Sequence, residues 1–174
     1  MKLFQDRFAS YGFDADSMMP VYGLAESSVG LAFPELKRGP LIDHIERDTF
    51  MNTGQAVIAT SDDTDALRFV SSGLPIPGHH VRVVDDAGRE LPERHQGRLE
   101  FRGPSSTSGY YRNEEMSRKL FHDDWLDSGD LAYIANGEIY ITGRIKDVII
   151  RAGRNIYPHE LEEAVGEIEG IRTG

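Results

Sequence analysis

Basic side chains gather near the end of this 174-residue chain, although its formal net charge is −10. Within eleven residues the sequence places Arg144, Lys146, Arg151 and Arg154, on two strand-like segments joined by glycine turns. Guanidinium groups suit phosphate or ribose oxygens, and glycines let a backbone approach a ligand closely. The spacing alone leaves two interpretations: an anion-binding site, or solvated hairpin faces balanced by nearby carboxylates.

Two carboxylates stand in turn-like sequence that could place them beside a ligand. Asp130 lies in "DSGDL", a segment that predicts a tight turn. Its carboxylate there could accept hydrogen bonds from a ribose diol or cap an Asx turn. Glu26, which ends "YGLAE", could ligate Mg²⁺ or simply be exposed. The adjacent pair His79 and His80 would point to opposite faces of a strand, so we interpret it as a surface feature and not as a metal site.

Composition excludes several classes of function. The sequence has no cysteine, which excludes disulfides, thiolate metal sites and cysteine nucleophiles. The acidic balance argues against nucleic-acid binding and against anionic membranes. No apolar run approaches 18 residues and the start of the chain lacks the apolar segment of a signal peptide, so we expect no integral membrane contact and a cytoplasmic location.

Helix signals occur near both ends of the chain and in its middle. Apolar side chains at helical spacing predict a helix over residues 2–11, ending at Gly12. A second helix is predicted over residues 113–121, with Asn113 as its N-cap. A third is predicted to begin near Pro158.

Strand signals dominate the segment between these helices. Val81 and Val83, and then Leu99 and Phe101, alternate with polar residues, and glycine, proline and aspartate separate the runs. This pattern favours an antiparallel sheet or barrel. The Asn-Gly pair at 136–137, between two apolar runs, predicts a β-hairpin.

Taken in order, several segments resemble the AMP-forming adenylate ligase superfamily, which includes acyl-CoA synthetases and fatty acyl-AMP ligases. The segments are "YGLAE", "SGLPIPG", "GYYRNEE", "DWLDSGDLAYI", "GEIYITGRIKDVIIRAGRNIYP" and "ELEEAV". The resemblance implies a β-rich α+β fold, with a distorted antiparallel β-barrel-like subdomain and the start of a small α/β C-terminal domain. Residues 1–34 would end the core of a large N-terminal domain, residues 35–144 would form the barrel-like subdomain, and residues 145–174 would begin the mobile C-terminal domain.

The resemblance also implies an activity. A fatty acid, expected to be long-chain, would attack the α-phosphate of ATP with Mg²⁺ present, releasing pyrophosphate and leaving acyl-AMP. The thiol of CoA or of an acyl carrier protein would then take the acyl group. The sequence lacks the Ser/Thr/Gly-rich phosphate loop ending in Pro-Lys-Gly and the C-terminal catalytic lysine. We therefore expect a fragment of a larger ligase that is inactive alone.

The same resemblance assigns roles to particular residues. The nucleotide-binding residues would be Tyr22, Gly23, Ala25, Asp130 and Arg144. Tyr22 would stack on adenine, and Asp130 would hold the ribose hydroxyls with Arg144 beside it. Many relatives have threonine where Ala25 stands, whereas the fatty acyl-AMP ligase branch often has alanine.

Three further residues receive catalytic roles from the resemblance. Glu26 would ligate Mg²⁺, Lys146 would be the hinge about which the C-terminal domain rotates, and Gly153 would lie on the loop that lines the thiol approach. The alternative is a stand-alone, non-catalytic β-rich module that docks a carrier protein or another partner. Exposed apolar surface would favour the fragment, and the candidate residues for it are Val21, Leu24, Val29, Leu31 and Phe33.

Overall fold

The computed structural model describes residues 1–147, 149–151, 154–156, 158, 161, 165–166, 168 and 170–171. Gly153 lies outside the described residues, and so does most of the helix predicted to begin near Pro158. The helices and strands given below belong to the described part of the chain.

Short helices and many strands make up this part of the chain. The helices are α1 (Lys2–Phe8), α2 (Arg47–Thr53) and α3 (Glu114–Leu120). The first strands are β1 (Ala32–Phe33), β2 (Ile42–Ile45), β3 (Leu67–Val70), β4 (Leu74–Pro75), β5 (His80–Val84) and β6 (Gly97–Arg102). They are followed by β7 (Phe121–His122), β8 (Trp125–Ala135), β9 (Glu138–Arg144), β10 (Ile149–Arg151) and β11 (Arg154–Ile156).

The central feature is a five-stranded antiparallel sheet in the order β5-β6-β8-β7, with β9 paired to β8. Smaller antiparallel pairs form between β1 and β4, between β2 and β3, and between β10 and β11. The main sheet curls into a half-barrel. The predicted β-rich α+β class, with its barrel-like subdomain, is therefore confirmed.

An aromatic core fixes the hairpin of β8 and β9. Tyr133 and Tyr140 lie directly opposite each other in the register, and their rings stack with centroids 4.9 Å apart. Phe50 and Phe69 pack against Tyr133, and all four residues are buried. Burying side chains of this size contributes about 1.5–3 kcal/mol each. The connecting residues 136–137 have φ values of 53° and 76°, as a type I′ turn requires, so the predicted hairpin is confirmed.

Strand β8 contains a β-bulge where the sequence predicts a tight turn, because the strand runs from Trp125 to Ala135 through this segment. Opposite a single residue of β6, Leu99, β8 has three residues, 128–130. Gly129 has φ of 75°, and the Ser128 hydroxyl donates to the Leu99 carbonyl at 2.7 Å. The strand continues on both sides of this irregularity, so "DSGD" is a β-bulge that re-aims the side chains it carries.

Helices α1 and α3 begin and end close to their predicted positions, whereas α2 was not predicted. Helix α1 runs into a 3-10 turn over Ala9–Tyr11, and Gly12 ends it with φ of 83°. Helix α3 begins after Asn113, whose side chain accepts a hydrogen bond from the Met116 N–H at 3.2 Å. Among the residues that the structure describes, no helix is long and apolar enough to cross a membrane.

The five apolar residues predicted to be exposed differ in their burial, and Leu24 is partly buried against the core cluster that contains Leu31. Val21, Val29 and Phe33 are exposed, as predicted. The prediction is wrong for Leu31, which is fully buried. The Leu31 N–H donates to the Tyr22 carbonyl, and the Leu31 carbonyl accepts from the N–H of Ile76, which directly follows β4. This backbone pairing places the Leu31 side chain in the core.

We expect Gly73 to tolerate alanine much less well than Gly88 does. Both have positive φ, +84° and +76°, so both replacements incur about 1–2 kcal/mol of backbone strain. At Gly73 the added Cβ would also lie 2.1 Å from the Phe33 carbonyl carbon, whereas at Gly88 nothing lies within 4 Å. Urea unfolding should show that Gly73→Ala costs at least about 2 kcal/mol more than Gly88→Ala. Equal losses would contradict the close approach.

Candidate active site

One open cleft of about 950 Å³ collects the residues singled out in the sequence. Its wall is formed by the loop after Tyr22, the segment around Tyr110 with helix α3, the bulge of β8, and the chain around the end of β9. The predicted site residues on this wall are Tyr22, Gly23, Ala25, Glu26, Asp130, Arg144 and Lys146. Among the predicted site residues, only Gly153 cannot be placed, because it lies outside the described residues.

Asp130 is the centre of the polar contacts on one side of the cleft. The Tyr22 hydroxyl donates to Asp130 Oδ2 at 2.5 Å, and Arg144 Nε lies 3.4 Å from Asp130 Oδ1. Burial, followed by the hydrogen bond and charge of Asp130, raises the pKa of Tyr22 well above its ordinary value. Tyr22 therefore stays a hydrogen-bond donor at neutral pH.

The bulge and the hairpin register explain why these groups meet. Asp130 is the last residue of the bulge and pairs directly with Arg144, the last residue of β9. The Ser128 hydroxyl accepts from the Asp130 N–H at 3.1 Å, which fixes the backbone there. Asp130 is 8% exposed, so its carboxylate is presented to the cleft from a buried position.

The loop that carries Glu26 is tightly folded and strained. A Cβ at Gly23 would lie 1.6 Å from the Val29 carbonyl oxygen, so the closure of the loop requires glycine at that position. Ser28 and Val29 have φ of 54° and 79°, which is uncommon for residues that are not glycine and a marked outlier for a β-branched one. Strain of this kind persists only where surrounding contacts hold it, and it is frequent at functional sites.

Contacts from the segment 105–110 hold this loop. The Thr107 N–H donates to the Glu26 carbonyl at 2.8 Å, and the Ser105 hydroxyl donates to the Ser27 carbonyl at 3.0 Å. His79 Nε2 lies 2.7 Å from Ser105 Oγ. The interpretation of His79 as a surface residue is therefore wrong: it is 9% exposed, because it lies directly before β5 with its ring against Ser105. His80 is exposed, as predicted.

The carboxylate of Glu26 has one engaged and one open oxygen. The Tyr110 hydroxyl donates to Oε1 at 2.5 Å, and no residue in the described part of the chain donates to Oε2. This hydrogen bond, with burial and the charge of Glu26, raises the pKa of Tyr110 to about 12. A carboxylate with a free oxygen in an open cleft fits Mg²⁺, which proteins commonly bind through one or two carboxylates and substrate phosphates.

The structure brings two of the four clustered cations to the cleft. Arg144 and Lys146 lie on its wall, at the end of β9 and in the short 3-10 helix Ile145–Asp147. Arg151 and Arg154 are opposite each other in the hairpin of β10 and β11, and their side chains lie outside the described residues. For Arg144 and Lys146 the structure therefore favours the first interpretation, an anion-binding site, because they share a cleft with Asp130 and Glu26.

Sequence reasoning missed the roles of Tyr110, Ser105 and His79. Tyr110 stands in "GYYRNEE", a segment used only for the resemblance, and no periodicity relates it to Glu26, which is 84 residues away. The signal that could have pointed to it is the aromatic pair after a glycine, at the start of a capped helix.

The fold of the described residues is similar to that of solved adenylation domains. A solved structure from a study of fatty acyl-adenylate ligases of E. coli and L. pneumophila matches with a TM-score of 0.92 and 34% identity, covering 99% of this chain and 31% of that one. Over residues 3–111, more than half of its length, the chain matches the AMP-binding enzyme family, and it belongs to that family.

Curated relatives agree with this assignment. The chain is 40% identical over 176 residues to a Caulobacter vibrioides protein named as an acyl-CoA synthetase, covering 100% of this chain and 31% of the relative. It is 32% identical over 186 residues to the long-chain-fatty-acid–AMP ligase FadD26 of Mycobacterium tuberculosis, covering 99% of this chain and 32% of the relative. The chain thus spans about a third of the length of the curated relatives it matches.

Replacing Glu26 with glutamine should lower the pKa of Tyr110 from about 12 towards the ordinary 10.0, because the accepting charge is removed. In the wild type, the stabilising effect of this contact is complete below pH 10 and is lost as the pH rises through about 12. NMR titration of protein labelled with ¹³Cζ-tyrosine measures the change. Glu115→Gln, which alters an exposed carboxylate paired with Lys119, is the matched control and should leave Tyr110 unmoved. An unchanged Tyr110 resonance in Glu26→Gln would contradict the contact.

Proposed function

We propose that this chain is the nucleotide-binding part of an ATP-dependent ligase that converts a long-chain fatty acid to acyl-AMP and passes the acyl group to a thiol. The observation that carries the proposal is the convergence of Glu26, Asp130, Arg144 and Lys146 on one cleft. The names of the relatives, an acyl-CoA synthetase and a fatty-acid–AMP ligase, support the substrate class.

In the proposed complex, Asp130 accepts hydrogen bonds from the ribose hydroxyls and Tyr22 lies beside the adenine. Both Asp130 oxygens already have partners, Tyr22 and Arg144. A carboxylate offers about four lone-pair sites, so a diol can bind without displacing either of them. The backbone at Gly23 and Ala25, on the same wall, lines the nucleotide's path to the phosphates.

Charge in the cleft would act on the phosphates. Glu26 would hold Mg²⁺, which neutralises phosphate charge when bound. Arg144 and Lys146 are positioned on the same wall, where fixed cations favour the build-up of negative charge as pyrophosphate leaves. The strained Glu26 loop, held by Thr107 and Ser105, keeps its carboxylate in place during this change.

The transfer of the acyl group from acyl-AMP to the thiol would use the hinge at Lys146. Lys146 lies in a single 3-10 turn directly after β9, and a hinge needs only a few residues at the end of an element. Residues 145–174 would rotate as the C-terminal domain and bring Gly153 towards the thiol. We favour a carrier-protein thiol as the acceptor because Ala25 and the "GRIKDVIIRAGRNIYP" segment resemble the fatty acyl-AMP ligase branch; CoA is the alternative.

The direct test is pyrophosphate release by the full-length gene product with ATP, Mg²⁺ and fatty acids of increasing chain length. We expect release that depends on the fatty acid, acyl-AMP detectable by mass spectrometry, and transfer to a phosphopantetheinylated carrier protein in preference to CoA. The 174-residue chain assayed alone should release none. Absence of release by the full-length protein with every fatty acid would overturn the ligase proposal and favour a docking module.

Asp130→Ala should weaken AMP binding by about 2–3 kcal/mol, or roughly 30- to 150-fold, because hydrogen bonds to a charged acceptor are lost. Calorimetric titration of the full-length protein with AMP measures the loss. The matched control is Asp124→Ala, which removes an exposed aspartate outside the cleft wall. This variant should bind AMP with the affinity of the wild type. Wild-type affinity in Asp130→Ala, with the protein shown to be folded, would remove Asp130 from the site.

A further inference from the structure

Tyr110 contacts Glu26 in a way that no role assigned so far explains. We propose that Tyr110 is a positioning residue that engages one carboxylate oxygen of Glu26 and so presents the other oxygen to a divalent cation. The Tyr110 hydroxyl lies 2.5 Å from Oε1, and no described residue donates to Oε2. This inference rests on the proposed role of Glu26 as the Mg²⁺ ligand.

The position of Tyr110 is fixed by the start of helix α3. Its N–H donates to Ser117 Oγ at 2.8 Å, and that hydroxyl donates to the Asn113 carbonyl at 2.7 Å. Gly109 has φ of +133°, and a Cβ there would lie 2.9 Å from Ser117 Oγ. The backbone directly before Tyr110 therefore packs closely against helix α3. This packing fixes the backbone from which the Tyr110 ring extends towards Glu26.

The same segment holds both ends of Glu26. The Thr107 N–H donates to the Glu26 carbonyl at 2.8 Å, and Tyr110 donates to its carboxylate. The Thr107 hydroxyl donates to the Gly109 carbonyl at 3.0 Å, which couples these two contacts through one short turn. Glu26 is thereby held at backbone and side chain together, which limits the carboxylate's rotation.

The Tyr110 hydroxyl gives its single proton to Glu26 Oε1, in a contact of 2.5 Å. With Oε1 engaged by this donor, the lone pairs of Oε2 stay available to a cation. Groups that orient a metal ligand without touching the metal typically change metal affinity 10- to 100-fold when they are removed.

The adjacent residue provides a matched control. Tyr111 is 85% exposed, and its recorded ring contact is with Arg112, 5.1 Å from the centroid. Tyr110→Phe and Tyr111→Phe each remove one hydroxyl and keep the ring. Only the first removes a donor to Glu26.

The experiment measures how much Mg²⁺ strengthens binding of α,β-methylene-ATP to the full-length protein. Calorimetry with Mg²⁺ and with EDTA gives two Kd values, and their ratio reports the cation's contribution. We expect Tyr110→Phe to reduce this ratio about 10-fold with the Kd in EDTA unchanged, and Tyr111→Phe to preserve both. A purely structural role would weaken binding in EDTA as well.

The outcomes separate this inference from the proposed function. A wild-type ratio in Tyr110→Phe overturns the inference, as does a loss of affinity that is equal with Mg²⁺ and with EDTA. If the ratio falls as expected but the wild type forms no acyl-AMP, the positioning role stands and the ligase function fails. If the wild type binds the nucleotide without any enhancement by Mg²⁺, Glu26 is not the cation ligand and the inference is overturned with that assignment.

Discussion

The hydrogen bond from Tyr22 to Asp130 joins segments 108 residues apart, and the rest of the cleft is arranged around it. Tyr22 is also paired through its backbone with Ala32, so the bond ties the loop that carries Glu26 to the main sheet. Because both groups are largely shielded from water, the contact is stronger than a similar one at the surface. The bond therefore links the two parts of the cleft that carry Glu26 and Asp130.

The geometry of the cleft also explains how an acidic chain accommodates the basic residues Arg144 and Lys146. Arg144 is matched by Asp130 at the same rung of the hairpin, so the pair is nearly neutral before any ligand binds. The side chain of Arg144 is 62% exposed, however, and remains able to meet a second anion. The surplus negative charge elsewhere on the surface favours solubility.

The sequence predicts well where a local signal is sufficient. The Asn-Gly turn at 136–137, the Asn113 cap and the alternation in β5 and β6 each depend on residues close in the chain, and all are found in the structure. The placement of Tyr22, Glu26, Asp130 and Arg144 in one cleft agrees with the resemblance of ordered motifs, although their individual roles stay predictions.

Features that depend on residues far apart in the chain could not be predicted from local sequence patterns. The burial of Leu31 follows from its pairing with Tyr22 and with the chain beside β4, which an apolar pattern does not specify. The burial of His79 depends on Ser105, and the contact between Tyr110 and Glu26 crosses 84 residues. Such contacts are decided by topology, and periodicity along the chain carries no information about them.

The bulge in β8 has a consequence for how this gene can change. Three residues, 128–130, oppose one residue of β6, so the strand carries two extra residues at this point. Two is an even number, and the alternation of inward and outward side chains is therefore in phase before and after the bulge. An in-frame deletion or insertion of one codon here would turn either Asp130 or the buried ring of Tyr133 to the opposite face. Inherited variation at the bulge should thus consist of substitutions, with its length preserved.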